Sequence, residues 1–174
     1  LMAAVSADLP TIAVPTGPMV AGHHRGEVLG ACTDCRRLWA QFRAGKIDQD
    51  EIDQISGRLA PSVGTCMVMG TASTMACVLE ALGMALPMSA TAPAVHADRR
   101  RIAEASGKRA AEMAASGAPK PSELITSDSV HNAMVVLQAI GGSTNGIIHL
   151  TAIAGRAGLT VDLDTFDRLG REVP

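Results

Sequence analysis

The sequence has no tyrosine, one tryptophan and two phenylalanines, so aromatic rings cannot build its core. That core must come from Ala, Leu, Ile, Val and nine methionines, through close backbone approach and adaptable thioethers. An excess of positive charge is also missing. Fifteen Lys and Arg against seventeen Asp and Glu leave a formal net charge of −2, which argues against a nucleic-acid partner. The one dense basic run, Arg99-Arg100-Arg101, is followed by Glu104 and reads as a solvated helix face. No apolar run approaches the roughly 18–20 residues that span a bilayer. Leu1-Met2-Ala3-Ala4 lacks the basic start of a signal peptide and resembles the tail of a helix already under way. Four cysteines at irregular spacing make no disulfide framework in 174 residues. The expected compartment is therefore reducing and cytoplasmic, with no membrane partner.

What is present suits one globular domain: 47% hydrophobic and 18% charged residues. Thr11-Ile12-Ala13-Val14, between Pro10 and Pro15, predicts a buried parallel strand. The turn after it, Pro15-Thr16-Gly17-Pro18-Met19, is either a pocket wall at a strand's carboxyl end or an ordinary Pro/Gly turn. A helix is predicted over 34–44, where Cys35, Leu38, Trp39 and Phe42 share a stripe and Gly45 stops the pattern. Asp48 and Glu51 resemble a capping box for a second helix that Pro61 ends. After the loop 61–70, helices are predicted over 71–82, 97–116 and 128–140. Gly141-Gly142 breaks the pattern, Ser143 caps a helix reaching Arg156, and Asp164 caps a last short turn around Phe166. The predicted fold class is α/β, a helix-rich domain with a small, mostly parallel sheet.

Cys66 lies in Gly64-Thr65-Cys66-Met67-Val68-Met69-Gly70, a glycine-flanked loop just before a helix N-terminus. Free N–H groups and the helix dipole there attract an anionic ligand such as a thiolate, which is what an iron–sulfur cluster requires. A buried structural cysteine is the equal alternative. Cys32 and Cys35 form a Cys-Thr-Asp-Cys pair, yet structural zinc needs four ligands and there is no second pair. A redox pair is conceivable at a helix start, but the shared stripe assigns Cys35 to packing. Cys77 reads as core. His23 and His24 are adjacent and would diverge, which argues against a shared metal. Gly141-Gly142-Ser143-Thr144-Asn145 admits two readings, anion recognition at a helix N-terminus or a serine cap after a glycine hinge. His149 reads as an ordinary helix residue.

With these residues in place, the chain resembles the dihydroxy-acid and phosphogluconate dehydratase family along essentially all of its length. The landmarks are Asp8-Leu9-Pro10-Thr11, Thr16-Gly17-Pro18-Met19, Gly64-Thr65-Cys66, Thr74-Met75, Glu80-Ala81-Leu82-Gly83-Met84, Leu86-Pro87 and Gly141-Gly142-Ser143-Thr144-Asn145. The stretch from Cys66 to Met75 looks most like the sugar-acid branch, such as arabinonate or xylonate dehydratases. The branched-chain enzymes usually carry a Cys-Gly-Gly-Met type sequence at this point.

The resemblance implies an iron–sulfur hydro-lyase that converts an aldonic acid to a 2-keto-3-deoxy acid. Three cysteines would hold the cluster, 2Fe–2S favoured over 4Fe–4S, with one iron open as a Lewis acid toward the C3 hydroxyl. Mg²⁺ would hold the carboxylate and C2 hydroxyl, and a serine of a C-terminal domain would remove the C2 proton. Residues 1–174 would be part of the cluster-binding N-terminal domain, without the C-terminal domain. The resemblance puts a Cys-Asp-Lys motif just before Leu1, another cysteine further upstream and the serine base beyond Pro174. Cys66 is then the one cluster ligand here, Ser143, Thr144 and Asn145 lie near the substrate pocket, and no catalytic residue falls in this segment. Homodimers or tetramers are implied. The alternatives are a branched-chain dihydroxy-acid dehydratase, a catalytically silent fragment or scaffold, and a redox module of Cys32 and Cys35.

Overall fold

Small side chains set the spacing between helices. The computed structural model describes residues 1–174 in the order α1 (Met2–Ala7), β1 (Gly22–His24), β2 (Glu27–Leu29), α2 (Ala31–Arg43), α3 (Gln49–Arg58), α4 (Thr71–Ala81), α5 (Ala97–Ser116), α6 (Pro121–Leu124), α7 (Ser127–Ala139), α8 (Thr144–Arg156) and α9 (Leu163–Glu172). α4 packs on α7 and α8, and α9 closes over α7. Val78, Leu82, Met84, Ala133, Leu137 and Leu150 are among the residues at the centre of this main core. Each large aliphatic side chain buried there contributes about 1.5–3 kcal/mol. The α4–α8 approach depends on Gly146, where a Cβ would lie 2.9 Å from the Thr74 methyl.

A second, separate cluster of Leu29, Leu38, Ile52 and Ile55 holds β1, β2, α2 and α3 together as a satellite lobe. Asp48 caps α3 by accepting from the Glu51 amide (2.8 Å), as its spacing with Glu51 suggests. The lobe leaves the main body after Pro18 and returns before Thr65, and these two residues pair in an isolated parallel bridge. No helix is long and apolar enough to cross a membrane.

Several expectations need correction. Residues 11–14 form no strand; their tie to the core is Ala13 N–H to the Met84 carbonyl (2.8 Å). Pro10 and Pro15 remove the flanking donors that a ladder would need. The sheet is instead an antiparallel hairpin pairing Gly22 with Leu29, His23 with Val28 and His24 with Glu27, so it is not mostly parallel. Its turn, Arg25-Gly26, has positive φ at both positions (48° and 86°), which suits the right-handed strand twist. The first long helix starts at Ala31 rather than 34, because Asp34 reaches back to the Gly30 amide (2.6 Å). The last helix is capped by Asp162, not Asp164, through the Thr165 and Asp164 amides. Arg99 is only 8% exposed, so the basic run is not a uniformly solvated face; Arg100 and Arg101 alone face solvent.

Candidate functional site

The loop carrying Cys66 is anchored on both sides. Gly64 has φ 131°, and a Cβ there would come 2.5 Å from the Met19 amide nitrogen, so the residue must be glycine. Thr65 N–H donates to the Gly17 carbonyl (2.9 Å), and the Met19 amide donates to the Thr65 carbonyl (2.8 Å). Cys66 follows this bridge directly as a half-buried free thiol. The chain then tightens, with Gly70 N–H donating to the Val68 carbonyl (2.7 Å). Gly70 caps α4 without a side-chain bond, leaving first-turn N–H groups of the helix open to other partners.

The first residue of α4, Thr71, joins this loop to the glycine-rich break. Its hydroxyl lies 3.0 Å from the Ser143 hydroxyl and accepts from the Asn145 side-chain amide (3.1 Å). The Ser143 backbone amide donates to the Thr74 hydroxyl (2.9 Å), and the Ser143 hydroxyl caps α8 through the Asn145 amide (3.3 Å). Ser143 and Asn145 are thus brought to the start of α4, five residues past Cys66. Thr144 is exposed and stands outside this set. Either the Thr71 or the Ser143 hydroxyl is the donor in their mutual bond. The hydrogen of the other is left for a third group, and the N-termini of two helices converge beside it. That arrangement suits an acceptor, anionic or neutral, held close to the Cys66 loop.

A cavity of about 500 Å³ borders Thr65. Thr16, Gly17, Thr65, Ala72, Met75 and His149 are among its lining residues, and most of the lining is apolar. His149, read from the sequence as an ordinary helix residue, is exposed and reaches this cavity from α8. Thr16 and Gly17 make the turn after Pro15 a pocket wall, although no strand precedes it.

The remaining candidates sit elsewhere. Cys32 is exposed and Cys35 half-buried on α2, both as free thiols. Leu38 carries the burial of their stripe, whereas Trp39 is 36% exposed and stacks edge-on against Phe42 at 5.6 Å. Cys77 is half-buried on α4, where burial and then the Glu80 carboxylate push its thiol above the usual range. His24 engages Glu51 (3.1 Å) through Nε2 and Arg58 (3.3 Å) through Nδ1. No three His, Cys, Asp or Glu side chains group closely enough to hold a metal ion. Cys66, a half-buried free thiol on a loop anchored through Thr65, has the chemistry of a single thiolate donor. The sequence reading gave no site role to Thr71 or Thr74, the latter quoted only as a landmark of the resemblance, and took Arg99 for part of a solvated face. Their contacts with residues about 70–84 positions away distinguish them.

Fold and site together define a helical domain that presents one cysteine and a hydroxyl–amide cluster at converging helix ends. The family model for the N-terminal region of dihydroxy-acid/6-phosphogluconate dehydratases matches residues 1–174, and the chain belongs to that family. It is 46% identical over 174 residues to an L-arabinonate dehydratase of Rhizobium leguminosarum bv. trifolii, covering all of this chain and 30% of that protein. It is 42% identical over 175 residues to a dihydroxy-acid dehydratase of Geobacter metallireducens, and 37% identical over 174 residues to one of Thermodesulfovibrio yellowstonii. In both cases all of this chain aligns with 32% of the relative. The chain thus spans about a third of the length of the relatives it matches.

Proposed function

We propose that this chain is part of the N-terminal domain of an iron–sulfur dehydratase acting on aldonic acids, with Cys66 as a cluster ligand. The observation that carries the proposal is the pair of contacts from Thr71 to Ser143 and Asn145 (3.0 and 3.1 Å). They fasten the glycine-rich break to the helix that follows Cys66. When bound, the cluster supplies a Lewis acid for the departing hydroxyl. This chain's own part is to hold one thiolate on a loop anchored through Thr65 and to offer an oriented hydroxyl hydrogen beside it. That donor suits a carboxylate or hydroxyl oxygen of the substrate, held by the convergent helix N-termini. Mg²⁺, the proton-abstracting base and the remaining thiolates would come from residues outside this chain. Thr144, exposed next to Ser143, would contact substrate from the rim.

The aldonic-acid preference is supported by the Cys66–Met75 stretch and by the 46% identity to the arabinonate enzyme. The branched-chain alternative is supported by the 42% identity to the dihydroxy-acid dehydratase of Geobacter metallireducens. The test uses the complete protein, reconstituted anaerobically with iron and sulfide and supplied with Mg²⁺. Arabinonate and xylonate should be dehydrated with higher kcat/KM than 2,3-dihydroxyisovalerate, and Cys66→Ser should lose both iron and turnover. Preference for the branched acid would reverse the substrate assignment, and full iron content in Cys66→Ser would remove the ligand assignment.

A further inference from the structure

Arg99 sits in the first turn of α5 yet is 8% exposed. Its Nη1 donates to the Pro15 carbonyl (2.6 Å) and its Nη2 to the Ala92 carbonyl. Its Nε is buried without a partner, and no carboxylate pairs with it. Burying a cation without an anion is costly, and an unbranched apolar side chain such as Met would fill much of the space without that cost. What the guanidinium alone supplies is a rigid fork that joins two segments through their carbonyls.

Those segments matter because of what hangs on them. A Cβ on Gly17 would lie 2.7 Å from Arg99 Nη2 and 2.9 Å from the Ala94 amide nitrogen, so the loop is pressed against the guanidinium. The Gly17 carbonyl accepts from the Thr65 amide (2.9 Å) and the Thr65 hydroxyl (3.3 Å), and the Pro18 carbonyl from the Ala94 amide (2.9 Å). Pro15 and Pro18 have no N–H to donate, so beyond the single bridge to Thr65 no ladder holds residues 15–19. We propose that Arg99 is a positioning residue for the Cys66 loop: it clamps residues 15–17, on which Thr65 and therefore Cys66 are mounted. This rests on the reading of Cys66 as a ligand, because only then does the placement of that thiol bear on the reaction.

The test uses the complete protein stripped of iron, and follows iodoacetamide alkylation of Cys66 peptide by peptide. Cys77, on α4 and half-buried, serves as the internal reference. Arg99→Met should raise the Cys66 rate relative to Cys77 by about tenfold, as expected when a charge-assisted hydrogen bond no longer opposes local opening. Arg99→Lys, which keeps the charge but can reach only one carbonyl, should rescue part of that change and leave a rise of about threefold. Equal acceleration of both cysteines would mean that Arg99 merely stabilises the fold, and an unchanged Cys66 rate would mean that it holds nothing; either overturns the proposal. If Arg99→Met shows no cooperative melt, the same ratio in Arg99→Lys decides. Retained iron in Cys66→Ser would sink the ligand reading while leaving the alkylation ratio as measured, so the two failures are distinguishable.

Discussion

Thr74 carries two separable loads, and its variants can weigh them. It is fully buried on α4; its hydroxyl accepts from the Ser143 amide (2.9 Å), and its methyl fills the space beside Gly142 and Gly146 (2.9 Å to either ideal Cβ position). Thr74→Val keeps the shape but leaves the Ser143 N–H without an acceptor, a loss of about 1–3 kcal/mol. Thr74→Ser keeps the hydroxyl and deletes one methyl, which costs about 0.5–1.5 kcal/mol by analogy with Ile→Val in cores. Denaturant unfolding of the complete protein should therefore rank Val below Ser in stability. Amide exchange at Ser143 should accelerate in Val and stay slow in Ser. Turnover should follow the same order, since the Ser143 amide bond sets where the Ser143 hydroxyl stands. A serine variant as unstable as the valine variant, or unchanged Ser143 exchange in Thr74→Val, would refute the idea that this hydrogen bond registers α8 on α4.

The paired variant Cys32→Ser, Cys35→Ser should keep the iron content of the complete protein, because both thiols belong to α2 of the satellite lobe; iron loss equal to that of Cys66→Ser would count against this. Ile55→Ala should destabilise by about 2–5 kcal/mol, with proteolysis or hydrogen exchange rising first in residues 20–60 and later in α4 and α8; simultaneous loss of both would show a single cooperative unit. The carboxyl of Asp8 is held below its ordinary value by the Ser122 amide and hydroxyl, that of Asp34 by the Gly30 amide and then Arg37, and that of Asp162 by the Thr165 hydroxyl and amide. Their stabilisation is complete above the unfolded carboxylate pKa of about 3.9 and fades as pH falls through the lowered folded values, so acid melts should steepen below about pH 4 and Asp8→Asn should flatten that slope. On the proposal that Cys66 alone of the four cysteines is a cluster ligand, the 174-residue chain should take up no stoichiometric cluster on anaerobic reconstitution, since three thiolates are needed; a visible charge-transfer spectrum at full iron occupancy would contradict this.

Helices with local punctuation were legible from the residues. The long helix Ala97–Ser116 is expected and found with the same ends, because Gly117 terminates it in the left-handed region. Ser143 and Asp48 cap the helices they were expected to cap. Features that depend on pairing were not legible. The hairpin turns on Arg25-Gly26 rather than an Asn-Gly signal and has strands of three residues, too short for an alternating pattern. The apolar run 11–14 looks like a strand locally but has no neighbour to pair with. Arg99 belongs to a charged run and is buried where the distant Pro15 carbonyl and the nearby Ala92 carbonyl meet it. At the site, the break at Gly141-Gly142 could be seen, but its attachment to Thr71 and Thr74 joins positions about seventy residues apart, and no local pattern encodes that.

The narrow neck of the satellite lobe has a further consequence, which concerns entropy. Pro18 and Thr65 are held together by a few backbone bonds, while the chain between them makes a long excursion. Closing a flexible loop of that length costs free energy that grows as (3/2)RT ln n, and the folded lobe lowers that cost by restricting the excursion in advance. The Leu29, Leu38, Ile52 and Ile55 cluster therefore acts at a distance on Cys66 as a tether, with none of its residues needing to touch the thiol. Heat or a mutation that melts the lobe alone would return the closure cost to the neck, and the Cys66 loop would loosen while the main helical core stayed folded.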